Sequence, residues 1–91
     1  MVLGNHIQIF SNSLVGHDTK IEDYSYIASN SCLGAKIKLS KGAFVGLNAT
    51  LKENIKIGKW SIVGLGSAVL NSVPDRSTVV GNPAKNIIKH A

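Results

Sequence analysis

An aliphatic residue recurs at every sixth position from Leu3 to Val69. Leu3, Ile9, Val15, Ile21, Ile27, Leu33, Leu39, Val45, Leu51, Ile57, Val63 and Val69 are all Leu, Ile or Val, and a run of that regularity does not arise by chance. Two positions earlier in each hexad stands a mostly small or β-branched residue, running Ile7, Ser13, Thr19, Ser25, Ser31, Ile37, Ala43, Ala49, Ile55, Ser61 and Ser67. Alternation by two is the signature of a strand, so both positions point inward from one short strand. Gly4, Gly16, Gly34, Gly46, Gly58 and Gly64 directly follow the aliphatic position and mark turns. A strand and a turn in six residues, repeated, make a prism with equal flat sides. The spacing alone fixes neither the number of sides nor the hand.

The pattern resembles the hexapeptide repeat of the left-handed β-helix family, in which three hexads close one triangular coil. That resemblance implies an all-β chain, a left-handed parallel β-helix of about four triangular coils over residues 1–72, about 20 Å tall. It supplies the hand, against the usual right-handed crossover. An 18-residue coil predicts columns, and the sequence contains them: Asn12, Asn30, Asn48 and then Gly66 at one corner, where the backbone needs a left-handed conformation. Lys20, Lys38 and Lys56 form an outward column on one side. The outward columns of the other two sides are Gln8, Tyr26, Phe44, Ile62 and Leu14, Cys32, Thr50, Ala68.

Stacked lysines repel one another unless screened, so their side is expected to face solvent or an anionic ligand. The two more apolar sides need cover, and three prisms around a threefold axis would bury part of each, which predicts a homotrimer. Beyond Val69 the six-residue count lands on Asp75. Val73-Pro74-Asp75-Arg76 therefore reads as a turn out of the helix and Ser77 to Val80 as a short extended piece. Asn82-Pro83 reads as the N-cap and first residue of a short helix through Lys89. Residues 73–91 are expected to cap the C-terminal end, as solenoids require. Nothing comparable precedes Leu3, so the first coil is expected to be covered by a second trimer end to end or by a partner chain.

With 91 residues, a formal net charge of +5 and one cysteine, the chain is a single small domain with no internal disulfide. No run reaches membrane-span length and no signal peptide is present, so a cytoplasmic location is expected, with no membrane partner. Two Phe, two Tyr and one Trp among scattered lysines argue against nucleic acid and for a smaller polyanion such as a phosphorylated cofactor. The three histidines lack the close pairing of a carbonic-anhydrase-type zinc site, and no metal is expected. Gly64-Leu65-Gly66 opens no helix and carries no dinucleotide reading.

The chemistry centres on His17, in Val15-Gly16-His17-Asp18 at a corner of the prism. A histidine can take a proton near neutral pH, and a neighbouring carboxylate can orient it. Adjacency does not tell whether the two side chains meet. A solvated turn histidine beside a turn-favouring aspartate is the competing reading. His6 sits at a different corner and His90 in the tail, so both read as structural or exposed.

Gly16-His17-Asp18, Val73-Pro74 and Gly81-Asn82-Pro83-Ala84-Lys85 resemble the C-terminal half of the sialic-acid O-acetyltransferase group and the related bacterial sugar N-acetyltransferases. The resemblance implies that His17 is the general base for an acceptor hydroxyl or amine and Asp18 its orienting carboxylate. It implies acetyl-CoA as donor, lying between neighbouring prisms. The Ala35 backbone N–H, one coil above His17, would donate to the thioester oxygen, Gly64 and Gly66 would admit the pantetheine, and Lys85 would meet the phosphates. This chain departs from that pattern at Tyr26, where many members carry a second His, and at Phe10, where a polar residue commonly meets the acceptor. It also begins inside the helix, without the family's N-terminal nucleotide-sugar domain. Two readings stay open: an acetyltransferase for a sugar or other small acceptor, and a non-catalytic trimeric module that is a truncated remnant or a binding partner for another chain.

Overall fold

The computed structural model describes residues 1–89. Twelve two-residue strands, from Val2–Leu3 to Ala68–Val69, follow the hexads, each formed by an outward residue and the aliphatic residue after it. They stack in parallel into three faces. Val2, Lys20, Lys38 and Lys56 pair in register on the lysine face. Gln8, Tyr26, Phe44 and Ile62 do so on the aromatic face, and Leu14, Cys32, Thr50 and Ala68 on the third, the Leu14 face. These are the columns the 18-residue period predicts, and the chain is the expected left-handed β-helix of about four coils.

The sixth-position side chains from Ile21 to Val69 fill the prism, none more than 2% exposed, and each such burial stabilises by about 1.5–3 kcal/mol. Small hydroxyl residues share the interior because the corner carbonyls need donors. Ser31 Oγ donates to the carbonyls of Ala28 and Gly46 at 2.8 and 2.9 Å, which removes the cost of burying it. In the first coil Leu3 and Ile9 are 54% and 42% exposed.

Each corner turns on a left-handed residue: His6, Tyr24, Gly42 and Trp60 between the lysine and aromatic faces, Asn12, Asn30, Asn48 and Gly66 between the aromatic and Leu14 faces, and Asp18, Lys36 and Asn54 between the Leu14 and lysine faces. The repeat glycines serve another purpose. Gly16 and Gly34 are not left-handed. A Cβ on Gly34 would stand 2.7 Å from the Glu53 nitrogen of the coil above, so these positions are glycine because successive coils touch there through backbone.

The tail departs from the sequence reading in two ways. Val73 does not leave the helix: it bridges Ile57 in parallel and is buried, and Thr78 and Val79 pair with Ile62 and Val63. The offset on this last rung is 16 residues instead of 18, a two-residue shortening that sends the six-residue count to Asp75 while Val73 and Val79 keep the inward places. The helix expected over Asn82 to Lys89 is absent as well. Lys85–Lys89 is a strand, antiparallel to Ser77–Val80. The Ser77–Val80 strand would otherwise end the aromatic face as an open edge; a strand satisfies its ladder and a helix does not. The Gly81–Ala84 turn between them is tied to the Leu14 face by Ala68 N–H donating to Gly81 O at 2.9 Å and Ala84 N–H to Ala68 O at 2.8 Å. His90 lies outside the described residues.

Candidate active site

His17 and Asp18 sit on the corner that joins the Leu14 face to the lysine face. The left-handed φ of Asp18, 58°, swings its side chain back toward its neighbour, and His17 Nδ1 lies 3.0 Å from Asp18 Oδ2. The adjacency therefore becomes a contact. The hydrogen bond from His17, together with its charge, holds the Asp18 carboxyl below the ordinary carboxylate range. Both side chains are open to solvent, 75% and 70% exposed, so a substrate can reach them. With Nδ1–H donated to Asp18, Nε2 is left as the free lone pair, the arrangement that a general base needs.

One coil above, the Ala35 backbone lies directly over Gly16, where a Cβ would come within 2.5 Å of the Ala35 nitrogen. Lys36 N–H donates to the His17 carbonyl at 2.9 Å and Asn54 N–H to the Ala35 carbonyl at 2.9 Å, which locks this corner in place. The Ala35 N–H has no acceptor among the described residues. At the lysine–aromatic corner two of the equivalent N–H groups are taken up by carboxylates, Asn5 N–H by Asp23 at 2.7 Å and Lys59 N–H by Asp75 at 2.8 Å.

A groove of about 270 Å³ runs along the aromatic face to the opposite corner, lined by Phe10, Tyr26, Phe44, Leu47, Gly64 and Leu65 among others. Phe10, Tyr26 and Phe44 form a ladder of rings with centroids 5.0 and 4.7 Å apart. The two positions that break the resemblance, Phe10 and Tyr26, are thus part of one apolar wall. Gly64 lines this groove, yet the space of its missing Cβ is filled by Val80 Cγ1 at 2.6 Å. Gly66 has open space where a Cβ would stand and a left-handed φ of 66°. Lys85 is exposed and pairs across the hairpin with Val80, which puts it beside the C-terminal end of the groove. Leu47 and Leu65 were not among the sequence candidates; the signal was an exposed leucine just after the turn glycine, in two successive coils. Leu65 is 77% exposed.

His17, Asp18 and Ala35 thus gather at one corner, and Gly64, Gly66 and the groove at another. The Leu14 face separates them within the chain. No group of three or more His, Cys, Asp or Glu side chains comes together among the described residues, and no helix among them is long and apolar enough to cross a membrane.

Solved structures align over nearly the whole chain. Perosamine N-acetyltransferase from Caulobacter crescentus, as an H141N mutant with CoA and GDP-perosamine, is 27% identical at a TM-score of 0.92 over 93% of this chain and 40% of its own. Soybean serine acetyltransferase is 35% identical at 0.87, over 94% of this chain and 40% of its own. Serine acetyltransferase from Brucella abortus with coenzyme A is 30% identical at 0.89, over 99% and 40%. These neighbours are acetyltransferases. The chain spans about 40% of the length of each. No family model and no curated protein matches the chain.

Proposed function

We propose that the chain is the catalytic β-helix of an acetyl-CoA-dependent acetyltransferase that works as a homotrimer on a sugar or other small hydroxyl or amine acceptor. The observation that carries this reading is the His17–Asp18 contact at an exposed corner, beneath an unpaired backbone N–H. The apolar groove and the cation of Lys85 at its end suit a pantetheine arm and its phosphates. Solved neighbours hold CoA.

The dyad and the groove flank the Leu14 face, so one chain cannot bring them together. A threefold assembly that turns the Leu14 faces inward sets the dyad corner of one subunit against the groove corner of the next. In that composite site His17 Nε2 takes the proton from the acceptor as its oxygen or nitrogen attacks the thioester carbonyl. Asp18 holds the tautomer and balances the charge on the imidazolium. The Ala35 N–H donates to the oxyanion. Collapse breaks the carbon–sulfur bond, and His17 returns the proton to the leaving thiolate.

Within the acetyltransferase class the Gly16-His17-Asp18 and Gly81 to Lys85 motifs resemble the sialic-acid O-acetyltransferase group, and the acceptor is a sugar or another small hydroxyl or amine compound. Calorimetry with acetyl-CoA, followed by transfer assays with GDP-perosamine and L-serine as probes, tests the proposal. Binding in the micromolar-to-millimolar range usual for substrates is expected. Absence of binding at millimolar acetyl-CoA would favour the non-catalytic module.

A further inference from the structure

The corner between the lysine and aromatic faces is built from residues that its backbone does not favour. Left-handed positions elsewhere in the coils hold Asn12, Asn30, Asn48, Gly66, Asp18, Asn54 and a single lysine, Lys36. Here they hold His6, Tyr24, Gly42 and Trp60, and Arg76 continues the column into the last rung. Asn, Asp and Gly take this conformation at little cost, whereas bulky residues take it with strain. Bulky side chains hold this conformation at Tyr24, Trp60 and Arg76 in one column, against Lys36 alone in the other two, and that concentration of strain points to a use for those side chains.

The side chains are available. Tyr24 is 51% exposed and Trp60 46%. His6 stacks on Tyr24 with centroids 5.3 Å apart, and the Lys41 ammonium lies 5.8 Å from the Tyr24 centroid. A Cβ on Gly42 would collide with the Trp60 indole, so this glycine seats the indole against the corner. Lys41, Lys59 and Arg76 line the same strip and are exposed. The carboxylates of Asp23 and Asp75 are engaged by backbone N–H groups.

We propose that this corner binds an acidic glycan, with Trp60 as the platform for a sugar ring and Lys41, Lys59 and Arg76 as the cations for its carboxylates. The Tyr24 and Trp60 backbones stand two coils apart, and the Trp60 indole leans over Gly42 on the coil between them. Exposed aromatic faces set along one strip suit the flat apolar faces of sugar rings. The strip offers about one cation per coil, with Asp23 and Asp75 between. A polyanion with a charge on every nucleotide is matched poorly by that density, and a glycan with a carboxylate on some of its rings is matched well. The corner lies opposite the Leu14 face and points outward in the proposed trimer; the inference itself rests on neither the trimer nor acetyl transfer.

Trp60 is the only tryptophan in the chain, so its fluorescence reads the site directly. Titration with a hyaluronan oligosaccharide, which carries a carboxylate on alternate rings, is expected to give a saturable change that weakens as salt screens the cations, with maltooligosaccharide giving a weaker response. By calorimetry, Trp60→Asn is expected to weaken hyaluronan-oligosaccharide binding about tenfold, the scale of losing one stacking contact. Its melting temperature should not fall far, because asparagine suits the left-handed turn. Lys41→Gln with Lys59→Gln, which leaves the corner backbone alone, should weaken binding at low salt. No saturable response to the hyaluronan oligosaccharide, tighter binding of single-stranded oligothymidylate, or undiminished binding by either variant would overturn the proposal.

Discussion

At the scale of single residues, the decisive fact is that His17 and Asp18 touch. The sequence placed both on one corner but left open whether they diverge, because the outcome turns on the left-handed φ of Asp18, which a His-Asp dipeptide does not disclose. The depressed pKa of Asp18 has a testable origin in His17. Asp18 should titrate below an ordinary aspartate by carbon-detected NMR, and His17→Ala should bring it back up; an unchanged value would show that the hydrogen bond is not the cause. The sign for stability follows from a folded pKa below the unfolded one. The contribution is present above the unfolded pKa and fades as pH falls through the folded pKa, and it is small because both groups are exposed. In catalysis His17→Ala should leave acetyl-CoA affinity unchanged and lower transfer by about 10²–10⁴-fold, the usual worth of a general base. Transfer equal to the parent would reduce His17 to a turn residue.

At the scale of elements, the hexads from Leu3 to Val69 were fully legible, since every sixth position is aliphatic and every face column appears in register. The tail was not. A two-residue shortening of the last rung hides Val73 and Val79 from a six-residue count. Asn82-Pro83 carries a helix-start signal that the open sheet edge overrides. The repeat glycines were read as turn formers, whereas backbone contact between coils is what excludes a side chain at Gly34. Gly34→Ala should therefore cost about 1–3 kcal/mol, as overpacking does, in denaturant unfolding. Gly66→Asn, with open space and an asparagine-tolerant φ, should change stability little. The reverse order of costs would contradict the contact explanation.

At the scale of the whole molecule, the prism measures 29 × 24 × 21 Å and leaves Leu14 at 63%, Phe44 at 38% and Ile62 at 39% exposure. Apolar side chains of this size on two adjoining faces, against lysines on the third, would set the direction in which the subunits of the proposed trimer meet. Leu14→Glu or Phe44→Glu should shift sedimentation from trimer toward monomer while the far-UV spectrum stays that of the parent. A parent protein that sediments as a stable monomer would remove the intersubunit site. The most direct test of that site is complementation. His17→Ala chains lack the base, and Leu65→Arg chains, altered at an exposed leucine of the groove wall, should lack donor binding; each homotrimer should be inactive. If the site is shared between neighbours, coexpressed chains that assort at random should recover about a quarter of the parent's sites, because one interface in each mixed ring pairs an intact dyad with an intact groove. If each chain holds its own complete site, no mixture can recover activity, and a mixed preparation as inactive as its two parents would contradict the account.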